Sequence, residues 1–256
     1  MFVQKFEDNT HDKCLKLIWG TTSNMVKIHK RANLWHFVLL FIFITGCSND
    51  EEIPASSAIP HAEEKAEQAP FRILILGDSL TEGYGVSPAQ AYPSLLEAKL
   101  NKNLLPEQRQ YQVINGGVTG STTSGGASRI DWHLKSPTDY LIIALGGNDG
   151  LRGIPPRESK QNLKSIIERA LQKKVPVMIA GMKLPPNYGP AHLRDFEKIF
   201  PELSDELKVP LLPFLLEGVG GNPGMNQPDR IHPNPTGQRL ICETVYTHLI
   251  EHLPNN

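Results

Sequence analysis

Short apolar runs that end abruptly in glycine constrain this chain more than any other feature. Phe71–Leu76 (FRILIL) stops at Gly77, and Tyr140–Leu145 (YLIIAL) stops at Gly146-Gly147. Both carry the signature of a buried strand. Tyr111–Ile114, Val175–Ala180 and Val209–Pro213 read as three more strands. Between them the apolar spacing becomes helical. Ala91–Leu100 places Tyr92, Leu95, Leu96 and Leu100 on one face, and Glu158–Lys173 does the same with Leu163, Ile166, Ile167, Ala170 and Leu171. Ala191–Leu207 aligns Leu193, Phe196, Ile199 and Phe200, and Pro235–Leu253 aligns Leu240, Ile241, Val245, Leu249 and Ile250. Strands that alternate with helices predict a parallel sheet covered on both faces. Such sheets hold ligands beyond the carboxyl ends of their strands, so chemistry is expected just after each apolar run.

The chain has 256 residues, with 26 basic against 27 acidic side chains and a formal net charge of -1. That balance argues against a nucleic-acid partner. Apolar residues make up 39%, which excludes a wholly disordered chain. Three widely separated cysteines exclude a disulfide scaffold and give no zinc or redox spacing. Cys242 falls in an apolar helical pattern and reads as a core residue.

The amino-terminal part differs from the rest. Leu34–Ile44 is apolar but shorter than the roughly 20 residues a bilayer span needs, and Lys27, Lys30 and Arg31 precede it. Ile44-Thr45-Gly46-Cys47 then resembles a bacterial lipobox, in which the chain is cut before the cysteine and the cysteine is acylated. The alternative is a short anchor that stays uncleaved. Counting from Met1 makes the signal too long, which points to Met25 as the start and leaves 1–24 without an argued structure. We therefore expect a lipoprotein signal peptide at 25–46, and a lipidated Cys47 with an acidic, disordered tether at 47–70. The folded domain is expected at 71–256. Ser48 after the cysteine favours the outer membrane facing the periplasm, within the bacterial cell envelope.

Four segments carry the chemistry. Gly77-Asp78-Ser79-Leu80 presents a serine at a strand-to-helix turn, where a hydroxyl is exposed and its N–H is free for an oxyanion. Alone, Ser79 fits a helix N-cap equally well. Asn115–Thr122 is a glycine-bearing turn that matches neither phosphate-loop nor dinucleotide spacing. Gly146–Gly153 places the Asn148 amide beside two glycines, as an oxyanion donor or as a plain turn. Asp229-Arg230-Ile231-His232 lets a carboxylate fold back on an imidazole and fix its tautomer. The alternatives are a helix-capping Asp229 and a metal pair, the latter the weaker since no further ligands accompany it.

Taken together, these segments resemble the SGNH, or GDSL, hydrolases over the whole of Phe71–Leu253, with the bacterial thioesterase, lysophospholipase and arylesterase branch nearest. The resemblance implies Ser79 as nucleophile, with Asp229 and His232 as acid and base. It implies an oxyanion hole from the N–H groups of Ser79 and Gly120 and the amide of Asn148. Asp78 is expected to support the turn rather than touch substrate. GGNDGLRG at Gly146–Gly153 and LPPNYG at Leu184–Gly189 match that branch. Ser121 stands where the branch often has aspartate, and Arg230 where it often has glycine.

The expectation is a flavodoxin-like, three-layer α/β/α fold with a five-stranded parallel sheet. It would act as a serine esterase on a small-molecule acyl ester or thioester, without cofactor or metal, and be held at a membrane through Cys47. The Leu184–Gly189 loop is expected to border the acyl pocket. The rival readings are a carbohydrate O-acetylesterase and a non-catalytic lipid- or glycan-binding surface lipoprotein. The sequence leaves the oligomeric state open.

Overall fold

In the computed structural model, residues 68–105 and 108–253 are described, and they belong to the compact unit His61–Asn256. The proposed start at Met25, the signal peptide, Cys47 and all but the last three residues of the tether lie outside the described residues.

Five strands form one all-parallel sheet: β1 (Phe71–Gly77), β2 (Tyr111–Gly117), β3 (Tyr140–Ala144), β4 (Val177–Ala180) and β5 (Leu211–Leu212). Their order is β2-β1-β3-β4-β5, the flavodoxin-like order. Helix α1 (Ser79–Glu82) follows β1 directly, and α2 (Tyr92–Asn101) crosses back to β2. Helix α3 (Thr123–His133) carries the chain from β2 past β1 to β3. Helix α4 (Gly147–Leu151) then leaves β3 and α5 (Pro156–Gln172) leads to β4. Helices α6 (Pro190–Glu197) and α7 (Ile199–Leu207) precede β5, and α8 (Pro235–Ile250) closes the chain.

The crossover from β1 to β2 runs one way across the sheet and every later crossover runs the other way. Because such crossovers are right-handed, α2 falls on one face and α3, α5 and α7 on the other. Contacts agree: α8 returns to pack on α2, while α3 packs on α5 and α5 on α7. The reversal leaves a crevice between the carboxyl ends of β1 and β3.

The central strand β3 is buried along its whole length, as its unbroken apolar sequence requires. Ile142 and Ile143 are fully buried, and truncating either to alanine would cost about 2–5 kcal/mol. Helix α8 starts where sequence chemistry says it should. Pro235 occupies its first position, and the Asn234 side chain accepts from the N–H groups of Thr236 (2.9 Å) and Gly237 (3.0 Å).

Two expectations need adjustment. The single helix over Ala191–Leu207 is two helices, broken at Lys198. Helix α1 is the helix expected at the Ser79 turn, whereas α3 and α4 carry no apolar stripe and fall outside the expected helices. The buried residues of α3 are Thr123, Gly126 and Ile130, a face too small and too polar to stand out in the sequence.

Candidate active site

The turn after β1 is fixed from both sides. The Asp78 side chain caps α1, its Oδ1 accepting from the Leu80 N–H at 3.0 Å. Across the sheet, α1 lies so close to the end of β2 that a Cβ on Gly117 would come within 2.2 Å of the Glu82 nitrogen. Only glycine permits that approach. Asn115 Nδ2 adds a bond to the Thr81 carbonyl at 2.9 Å. Ser79, the first residue of α1, is thereby held at the crevice.

Opposite it stands His232. Its Nε2 lies 3.0 Å from Ser79 Oγ, and its Nδ1 lies 2.6 Å from Asp229 Oδ2. The fold-back expected of the D-x-x-H spacing is achieved by a loop in which Asp229 Oδ1 accepts from the N–H groups of Ile231 (2.9 Å) and His232 (3.0 Å). Arg230, between them, has φ of 60°, the left-handed region where glycine is at ease. The hydrogen bond to the His232 ring, then the two backbone N–H groups, pull the Asp229 carboxyl down to about 2. An ionised Asp229 can only accept, so Nδ1 carries the proton and Nε2 is left to accept from the serine hydroxyl.

A loop from Val118 to Ser121 runs past the same crevice. Val118 N–H donates to the Gly77 carbonyl (3.2 Å), Thr119 N–H to Glu82 Oε2 (2.6 Å), and Ser121 N–H to the Val118 carbonyl (3.0 Å). Gly120 adopts φ of 74° and its carbonyl accepts from Arg152 Nη2 at 3.0 Å. The N–H groups of Gly120 and Ser79 have no partner among the described residues. Of the four successive N–H groups from Val118 to Ser121, three have partners and that of Gly120 has none among the described residues.

Asn148 reaches the crevice from α4. Its Nδ2 donates to Asp78 Oδ2 at 3.2 Å and to the Ser121 carbonyl at 3.0 Å. The amide therefore touches the β1 turn and the Gly120 loop at once, and both its hydrogens are engaged. Asp78 is 2% exposed. Burial pushes its carboxyl up to about 6, against the opposing pull of the Leu80 N–H and the Asn148 amide.

Several supporting groups escaped the sequence analysis. Asp149 is fully buried and accepts from Thr123 N–H (2.9 Å), Thr123 Oγ1 (2.5 Å) and Ser159 Oγ (3.1 Å), tying α3, α4 and α5 together behind Asn148. Arg129 donates to Ser121 Oγ (2.5 Å) and to the Gly77 carbonyl (2.6 Å). A serine at 121 thus gives this guanidinium a neutral partner. Asp149 and Arg152 lie within the Gly146–Gly153 block and Glu82 just after the Ser79 turn, but only the folded chain shows what they touch.

The Leu184–Gly189 segment follows β4 as expected and forms a short 3-10 turn at Pro186–Tyr188. Leu184 packs against Gly150 of α4, where a Cβ on the glycine would lie 2.4 Å from Leu184 Cδ2. Burial pushes the Cys242 thiol up to about 11, in keeping with a core position. Among the described residues, no cluster of three or more His, Cys, Asp or Glu could hold a metal ion, and no helix is long and apolar enough to cross a membrane.

Comparison with known proteins agrees with this geometry. An arylesterase from Vibrio mimicus is 38% identical over 189 residues, covering 73% of this chain and 92% of the relative. The thioesterase 1/protease 1/lysophospholipase L1 of Escherichia coli is 37% identical over 172 residues, covering 67% and 79%. The crystal structure of TesA superposes with a TM-score of 0.67 at 37% identity, covering 71% of this chain and 99% of that one. Residues 75–240 match the family model described as the GDSL-like Lipase/Acylhydrolase family, a span that takes in Ser79, Gly120, Asn148, Asp229 and His232. The chain therefore belongs to the GDSL-like lipase/acylhydrolase family.

Proposed function

We propose that this chain is a serine esterase that hydrolyses carboxylic esters and thioesters through an acyl-enzyme. The observation that carries the proposal is the Asp229–His232–Ser79 relay, 2.6 Å and then 3.0 Å, at the mouth of the crevice. His232 Nε2 accepts the Ser79 proton as Oγ bonds to the carbonyl carbon, and ionised Asp229 stabilises the imidazolium. The carbonyl oxygen becomes an oxyanion, received by the free N–H groups of Ser79 and Gly120 and by the Asn148 amide, one of whose hydrogens turns to it from the long 3.2 Å bond to Asp78. The carbon–oxygen or carbon–sulfur bond breaks, and the leaving alcohol or thiol takes the proton from His232. Water then gives a proton to His232 as its oxygen attacks the acyl carbon, the bond to Ser79 Oγ breaks, and His232 returns the proton to Oγ as the acid leaves.

The free N–H groups of Ser79 and Gly120 support the oxyanion assignment. The family membership and the names of its relatives support ester and thioester substrates. Leu184, packed beside α4, supports a placement of the acyl chain along the Leu184–Gly189 loop. Ser79→Ala should stay folded and lose both fluorophosphonate labelling and most ester hydrolysis. Labelling of that variant at another serine would overturn the proposal.

We also propose that the domain is tethered in the bacterial envelope through a lipidated Cys47. The support is the basic, apolar, Ile44-Thr45-Gly46-Cys47 order of the sequence. One acyl chain binds a bilayer only marginally, at ~10⁴ M⁻¹, whereas two or more hold firmly. Cys47→Ser should therefore move the protein from the membrane to the soluble fraction. A variant that stays with the membrane would show an uncleaved anchor instead.

A further inference from the structure

We propose that Tyr84 is a positioning residue for His232: its ring braces the imidazole toward Ser79 and stabilises the imidazolium once the serine proton arrives. This rests on the serine-esterase reading above. The ring centroids of Tyr84 and His232 are 4.5 Å apart, with planes tilted by 39°. That separation is at the close end of the range for aromatic pairs.

The geometry explains why such a brace is needed. Asp229 holds Nδ1 and Ser79 meets Nε2, and both contacts act at the edge of the ring. Neither resists rocking of the ring about the line joining its nitrogens. A second ring held beside it, here tilted by 39°, does.

Tyr84 is itself anchored to the histidine loop. Its carbonyl accepts from Gln227 Nε2 at 2.6 Å, and the same nitrogen donates to the Pro233 carbonyl at 3.1 Å. The Gln227 N–H donates to the His232 carbonyl at 2.7 Å. One glutamine therefore ties the segment after α1 to the backbone of His232 and Pro233. The Tyr84 ring is not there to fill the core, since the residue is 49% exposed.

The contact gains strength when it matters. A neutral imidazole finds only dispersion and edge contacts on a phenol face, whereas an imidazolium adds attraction to the ring's negative face. An interaction that grows as the proton arrives favours the transition state over the ground state. The charged and titratable groups around the imidazole are Asp229 at Nδ1, Asp78 near the Ser79 side, and Arg230 two residues back in the chain. None of them is hydrogen-bonded to Tyr84, whose polar partners are the Ser79 carbonyl and Gln227.

The test pairs two readouts on the full chain: the pH profile of kcat/KM on p-nitrophenyl butyrate, and an NMR titration of the His232 ring. Tyr84→Leu should move the ring titration and the acidic limb of the profile to lower pH by roughly half a unit, the size expected for an exposed cation–π contact. Tyr84→Phe keeps the ring face and should titrate with the wild type. Tyr84→Met serves in place of the leucine variant if that one folds poorly. An unchanged His232 titration in the leucine or methionine variant would overturn the proposal, as would an equal shift in Tyr84→Phe. The NMR arm does not depend on turnover. A shifted His232 titration with no matching movement of the acidic limb would instead count against His232 as the base.

Discussion

Asp78→Asn tests how the crevice is held together. The carboxylate is 2% exposed, and burial raises its pKa from 3.8 to about 6. The folded protein therefore binds this proton more tightly than the unfolded chain does. The group's contribution to stability is fully present below about pH 4 and is lost as pH rises through about 6. A shift of about two units, at 1.36 kcal/mol each, makes that loss about 3 kcal/mol. Asparagine keeps the shape and does not titrate. It can accept with only one of its two terminal atoms, so either the Leu80 N–H or the Asn148 amide loses its partner. That loss costs about 1 kcal/mol at every pH and does not disguise the slope. Urea unfolding of both proteins between about pH 4 and 8 gives the measurement, read as the difference between them. The charge interaction with His232 is part of the difference measured, while taking the difference cancels the titrating groups that are not coupled to Asp78. His133, whose pKa is lowered first by burial and then by Arg129, is one of these and acts with the opposite sign in the same window. The variant should gain about 2–3 kcal/mol on the wild type across that range. A difference that stays flat would refute the buried, ionising Asp78 described above.

Two further outcomes follow from the site. Asn148→Gly should lower kcat on p-nitrophenyl butyrate by roughly 10²–10³ with little change in KM; a folded variant within about threefold of the wild type would remove Asn148 from the oxyanion hole. Arg230→Gly relieves a left-handed backbone, offset partly by the greater freedom of glycine when unfolded, and should raise Tm by about 1–4 °C in a calorimetric scan. A fall in Tm would show that the arginine side chain stabilises the loop.

Much of this architecture was legible because burial and chemistry were written into neighbouring residues. β1 and β3 are continuous apolar runs, and each hands the chain directly to its motif at Gly77-Asp78-Ser79 or Gly146-Gly147-Asn148. The D-x-x-H pair was legible for the same reason, since three residues are enough to close the loop. What stayed hidden depends on contacts between distant segments. Helix α3 buries Thr123 against Asp149, a polar pairing that no periodicity reveals. The break at Lys198 interrupts an apolar face that runs on through Phe196, Ile199 and Phe200, so spacing alone suggested one helix. β5 is two residues long and is specified by its pairing with Ile179 and Ala180 more than by its own sequence. The Tyr84–His232 contact joins residues 148 positions apart in the numbering, 84 and 232, and only the folded loops bring them together.

The assembled site also divides the chain in two. Ser79, Gly120 and Asn148 all precede β4, while Asp229 and His232 both follow β5, and 153 positions separate the serine from the histidine it meets. The halves are joined across the far face as well, where Gln238 of α8 accepts from Tyr92 N–H at 2.9 Å. A cut in the exposed turn between α5 and β4 would leave the proposed nucleophile on one fragment and the proposed base on the other. Each fragment alone would be silent, and hydrolysis would return only when the two reassociate. The enzyme is in that sense a built-in reporter of its own completeness: turnover registers the docking of the last helix on α2, and a truncated or half-folded chain has no partial signal to give.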